Sequence, residues 1–207
     1  MDGAVKAFFS NNRTVFTMGF TALLISSLGD ILAGITLGFM TDTLEMLPGL
    51  MVLIPAAIGM RGNIFGALGS RLGTAMHVGT FELSLRKGSI LRQNIEASLI
   101  MTMVVSFLMG FLAKVISTAI GMESISMQQF IFISVLGGVL AGLVLLVVNV
   151  IVATLGFRRN WDIDNISAPL LTAAGDIVTL PMLFLAGLIV IEGEGVIDAA
   201  FYDVMTL

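Results

Sequence analysis

The chain has 207 residues, 57% hydrophobic and 12% charged, with a mean hydropathy of +1.04 and a net charge of −4. A soluble domain of this length needs a polar skin that these residues do not supply, so the composition predicts an integral membrane protein. The acidic balance argues against a nucleic-acid partner. The absence of cysteine excludes disulfides and thiolate sites, and a single histidine, His77, cannot build a multi-histidine metal site within one chain. The length suits one domain over residues 1–207, with no linker, low-complexity tract or convincing internal repeat.

A helix needs about 20 apolar residues to cross the hydrocarbon core, and five stretches qualify: 14–41, 47–79, 93–120, 129–157 and 166–191. The first follows Lys6 and Arg13, as a signal-peptide core would. It is too long for one and lacks an A-x-A-like cut site, so it reads as a retained span. The second runs for about 33 residues, roughly 50 Å if fully helical. Pro55, Gly59, Gly62 and Gly66 predict a break near its middle, and irregular backbone at that depth is tolerated only inside protein or facing water. Gly66, Ser70 and Thr74 have the small-xxx-small spacing of a close helix contact. On the third span Glu96 and Lys114 are expected to snorkel or pair.

The fifth span reads "WDIDNISAPLLTAAGDIVTLPMLFLAGLIV". Asp162, Asp164 and Asn165 stand at its cytoplasmic mouth, and Asn165 or Ser167 is placed to cap the helix, with Pro169 in its first turn. Ala168, Thr172 and Asp176 recur at i, i+4 and i+8, a narrow stripe that ends in a carboxylate and suits a water-filled path. Lys6 and Arg13 precede the first span, Arg86, Lys87 and Arg92 follow the second, and Arg158 and Arg159 follow the fourth. Five crossings from a cytoplasmic N-terminus put all of them inside, with the acidic C-terminal tail outside.

Counting inward from these boundaries places Asp30, Arg61 and Asp176 near the midplane, where ionisable groups are functional candidates by default. One arginine neutralises one carboxylate, so the remaining negative charge calls for a cation or a proton. The fold expected is all-α integral membrane, with five transmembrane helices of which the second is broken and glycine-rich. Two aspartates on different spans also occur in intramembrane aspartyl proteases, where they share a proton. The G-x-G-D pattern is absent at both, with Ser27 and Ala173 in the first positions, and five spans differ from that family. A purely structural membrane subunit is a third reading.

"PGLMVLIPAAIGMRGNIFGALGSRLGTAMHVG" together with "DIDNISAPLLTAAGDIVTL" resembles the membrane domain of MgtE-type magnesium transporters and their eukaryotic solute-carrier relatives. The run Gly59-Met60-Arg61-Gly62-Asn63 and the run Pro169-Leu170-Leu171-Thr172…Gly175-Asp176 carry the match. The resemblance implies a homodimer in the bilayer around a central cation pore lined by the second and fifth helices. Asp176 would be the magnesium ligand, with Thr172, Ala168, Gly59, Gly62 and Asn63 along the pore. Mg2+, or another divalent cation, would be the transported ion, through a channel or a transporter. Bacterial members carry a cytoplasmic magnesium-sensing domain where this chain has about a dozen residues, so no regulatory domain is expected. Eukaryotic relatives fuse two membrane units; this chain would need a second copy. Magnesium prefers oxygen ligands and keeps its water, and a carboxylate doubled across a two-fold axis suits a hydrated ion. Arg61 bound to Asp176 would neutralise the pore ligand, so Arg61 is expected to pair with Asp30 as a structural clamp.

Overall fold

The structure is a computed structural model that describes residues 13–159 and 163–193; the side chains of Thr14, Val15, Met18, Ala22, Arg159 and residues 163–168 lie outside that description. Among the described residues six helices follow one another: α1 (Arg13–Phe39), α2 (Thr41–Met46), α3 (Leu50–His77), α4 (Ile90–Ala119), α5 (Met127–Arg159) and α6 (Ile163–Glu192). All except the short α2 are long and apolar enough to cross a membrane. In hydrocarbon every backbone N–H and C=O must be satisfied within the protein, which the α-helix does segment by segment.

The joints are local. Between α2 and α3, Gly49 takes a φ of +83°, a left-handed conformation open to glycine, and a Cβ there would stand 2.7 Å from the Cβ of Ser124. The neighbouring Pro48 carbonyl accepts from the Ile125 N–H at 3.0 Å, tying this joint to the α4–α5 joint. Lys114 donates to the Ser124 hydroxyl at 2.9 Å at the same end of the bundle. At the other end Ser89 caps α4 by accepting from the Arg92 N–H, and Arg92 pairs with Glu96 at 2.6 Å. The expected pairing of Glu96 and of Lys114 is therefore present.

α6 is the central helix, packed against α1, α3 and α5, while α3 also packs against α4 and α5. Lipid gives helices no hydrophobic reason to associate, so close backbone approach through small residues does the work. A Cβ on Gly29 of α1 would lie 2.9 Å from the Ala173 Cα of α6, and one on Gly110 of α4 would lie 2.8 Å from the Ile131 Cα of α5. Two apolar clusters fill the interior. One, around Leu50, Leu53, Phe130, Ile133 and Leu183, lies toward α2. The other, around Phe65, Leu72, Phe81, Leu91 and Leu145, lies toward the α3–α4 joint. Between them is a layer of buried polar side chains that includes Arg61, Thr102, Ser106 and Asp176.

The break expected in the second span is absent: residues 50–77 form one uninterrupted helix with Pro55 inside it. Pro55 stands in the second turn and deprives only the Met51 carbonyl of its helical donor. Each interior glycine costs about 1 kcal/mol relative to alanine, but a broken helix in lipid would lose hydrogen bonds that no water replaces. The glycines serve packing instead, with Gly69 and Gly73 buried. The fifth helix also begins earlier than expected, by Ile163, so Asn165 and Ser167 stand inside its first turns rather than at the cap.

Candidate functional site

The site grows from the contact between α1 and α6. Because Gly29 has no side chain, the α1 backbone closes onto Ala173. The next residue on α1 is Asp30, and about one turn beyond Ala173 on α6 is Asp176. The two carboxyl groups come within hydrogen-bonding reach of each other. Asp176 is only 4% exposed, whereas Asp30 is exposed. Two carboxylates this close repel unless a positive charge stands with them, so the pair is chemically a receptor for a cation or a proton.

Thr172, one turn before Asp176, faces α3: its Oγ1 lies 3.5 Å from where a Gly62 Cβ would stand. Gly62, Thr172 and the Asp30–Asp176 pair thus share one side of the α3–α6 contact. Gly59 opens to space with nothing within 4 Å of its missing Cβ. Asn63 is exposed and borders a cleft between α3 and α4, one helical step round from Gly62. Asp162 and the side chains of Asp164, Asn165 and Ala168 lie outside the described residues.

The expected Arg61–Asp30 clamp is not formed. Arg61 is fully buried, and none of its three guanidinium nitrogens has a hydrogen-bond partner among the described residues. The packing faces explain this. α1 lies on the Ala173 side of α6, which carries Asp30 to Asp176. Arg61 enters on the Gly175 side, with its Cβ 3.6 Å from a Cβ built there. Its Nη2 then reaches the surface of Gly138 on α5, beside the hydroxyl of Ser106 on α4. Asp30 and Arg61 therefore point into different helix contacts.

Sequence reading passed over the inward face of α4. Asn94, Ser98, Thr102 and Ser106 are all buried there at i+4 spacing. The Ser106 carbonyl accepts from Ser134 of α5 at 2.6 Å, and Asn149 of α5 donates to the Phe65 carbonyl of α3 at 3.1 Å. The spacing was legible in the sequence as a polar stripe on a hydrophobic helix. The oxygens of Asn94, Thr102 and Ser106 that find no partner were not.

Among the described residues, five membrane-length helices define a polytopic membrane protein, with the Asp30–Asp176 pair at its α1–α6 contact. The family follows from comparison. A family model for MgtE, described as a divalent cation transporter, matches residues 54–186; the chain belongs to this family of transporters. Solute carrier family 41 member 2 of Xenopus laevis is 27% identical over 172 residues, covering 77% of this chain and 29% of that protein. The Gallus gallus counterpart is 28% identical over the same length. Solute carrier family 41 member 3 of Rattus norvegicus is 27% identical over 177 residues, 79% of this chain and 36% of that one. The chain thus spans between 29% and 36% of the length of these relatives. No solved structure matches it. Adjacent aspartates would equally serve the proteolytic reading; membership in a transporter family decides against it.

Proposed function

We propose that the protein moves a divalent cation, Mg2+ before others, across the membrane, with Asp176 as the central ligand and two copies of the chain around a two-fold axis. The observation that carries this reading is the Asp30–Asp176 pair, with no arginine or lysine partner among the described residues, in a family of divalent cation transporters. Magnesium is typically held by one or two carboxylates while keeping several waters, and one Asp176 from each of two copies would supply two. Asp30, paired with Asp176, becomes part of the cation site rather than half of a clamp.

The surface of α3 supports the second copy. Near its middle it turns Gly59 and Asn63 outward, whereas α1 and α4 turn Leu24, Leu28, Ile31, Ile100 and Phe107 outward. The latter are side chains for lipid; the former suit a helix partner or water. In this reading Gly59, Gly62, Thr172 and Ala168 line the path, Asn63 stands at its rim, and Asp162, Asp164 and Asn165 form the cytoplasmic mouth. The basic joints keep the N-terminus inside and the C-terminus outside.

Liposome flux with Mg2+, Ca2+, Mn2+ and Co2+, each with and without a sodium or pH gradient, tests the proposal. The expected result is Mg2+ flux that disappears in Asp176→Asn while the protein keeps its melting behaviour. Normal flux through a well-folded Asp176→Asn protein, or full activity from a monomer identified by mass photometry of the same sample, would overturn it.

A further inference from the structure

A second feature lies on the other flank of α3, away from the aspartates. Two adjoining cavities of about 400 and 370 Å³ run along the cleft between α3 and α4 and share Arg71 and Asn94. Their lining changes along the cleft. Toward the α3–α4 joint it is more polar, with Ser70, Arg71, Thr74 and Gln93 beside Ala75, Val78 and Ile90. Toward the middle of the bundle it is largely apolar, with Ile64, Ala67, Leu68, Ala97 and Met101. From Thr74 to Asn63 the α3 axis covers roughly 16 Å at 1.5 Å per residue. That is half of a hydrocarbon core of about 30 Å, the depth of a single leaflet.

The polar end has unmet needs. Arg71 is exposed and makes no ion pair among the described residues. No acidic residue lines either cavity. Asn94 is 2% exposed and borders both; its amide donates to the Ile90 carbonyl, but its Oδ1 has no partner. The cleft therefore offers one cation without an acidic neighbour and an apolar trough one leaflet deep. The adjoining joint adds Arg86 and Lys87.

We infer that the α3–α4 cleft is a binding site for an anionic glycerophospholipid, with its phosphate at Arg71 and an acyl chain along Ala67, Ala97 and Met101. Basic clefts between transmembrane helices at a bilayer surface attract such headgroups, and a planar guanidinium binds phosphate oxygens in bidentate fashion.

The test is native mass spectrometry of the full chain released from nanodiscs of equal phosphatidylglycerol and phosphatidylcholine. One phosphatidylglycerol retained per chain is expected. Arg71→Gln should lower its retention about fivefold, Arg71→Lys should keep most of it, and Ala67→Trp should lower it by filling the trough without touching a charge. Both positions are exposed, so unchanged melting of the variants confirms an intact fold. Equal retention of the two lipids, or no loss in Arg71→Gln, would overturn the assignment. So would full retention in Ala67→Trp, since the lipid would then be answering to surface charge alone. The chain has no cysteine, so Ala67→Cys reports cleanly on a rival occupant: disulfide dimers formed through it in membranes would show a second copy covering the cleft, and would also overturn the proposal.

Discussion

Two places in this membrane domain hold charge between helices, and they do so in opposite ways. At the α1–α6 contact two like charges, Asp30 and Asp176, stand together. At the α3–α4–α5 contact a single opposite charge, Arg61, stands with hydroxyls and glycines and no carboxylate among the described residues. In sequence the three residues look like one acid too many and one base to match. In space the base is not available to either acid. Depth in the membrane identifies residues that need partners; only the packing face of each helix says who the partners are.

The largest effect expected from this contrast is at Asp176. Asp176→Asn should abolish Mg2+ flux, and Asp30→Asn should weaken Mg2+ binding without abolishing it, because Asp30 is the exposed member of the pair. Titration calorimetry on the two variants checks the order. Equal and complete loss from both would make Asp30 an equal ligand, and no loss from Asp30→Asn would separate it from the site.

Arg61 offers the opposite outcome. A buried unpaired charge is a cost to the fold, and hydrophobic replacement of buried ionic groups commonly stabilises by about 1–4 kcal/mol. Arg61→Met should therefore melt higher than the parent in detergent at fixed magnesium, since bound metal raises the melting point by itself. A lower melting point would mean that Arg61 has a partner in the folded protein. The Asp30→Asn, Arg61→Met double-mutant cycle separates the two cases: independent contacts give a coupling within about 0.5 kcal/mol of zero.

Gly29 is what lets the two acids meet. A Cβ there would press on the Ala173 backbone at 2.9 Å, so Gly29→Val should destabilise by about 1–3 kcal/mol. It should also weaken Mg2+ binding, because α1 carries Asp30 away as it withdraws. Stability lost with affinity unchanged would show that Asp30 does not touch the ion. The smallest effect belongs to the Arg92–Glu96 pair at 2.6 Å on the surface of α4, with side chains 37% and 54% exposed. Solvent screens such a pair, so Glu96→Gln should change stability by about 0.5 kcal/mol or less. A loss as large as that from Gly29→Val would mean that this end of α4 is a contact surface in the assembled protein.

The membrane class, the number of crossings and the placement of Asp176 in the interior were legible from the sequence. A membrane span is a local property: about 20 apolar residues in a row suffice to define one, and helical hydrogen bonds close within it. Asp176 stood out because a carboxylate there ends a small, polar stripe in an otherwise apolar helix. The same local rule misled at the second span, where Pro55, Gly59, Gly62 and Gly66 suggested a break. Those signals measure what a helix costs on its own, whereas lipid removes the alternative of a hydrated, open turn.

What the sequence by itself determined was composition along the chain: five membrane-length helices and the apolar stretches into which Asp30, Arg61 and Asp176 are set. What the tertiary structure decided was rotation about each helix axis and choice of neighbour. Gly29 against Ala173 set Asp30 beside Asp176, and Gly138 with Gly175 made room for Arg61 in a different helix contact. Helix hydrogen bonds span four residues and leave those two choices open. Contacts between surfaces far apart in the chain close them, and in lipid such contacts are selected by fit between small residues rather than by hydrophobicity.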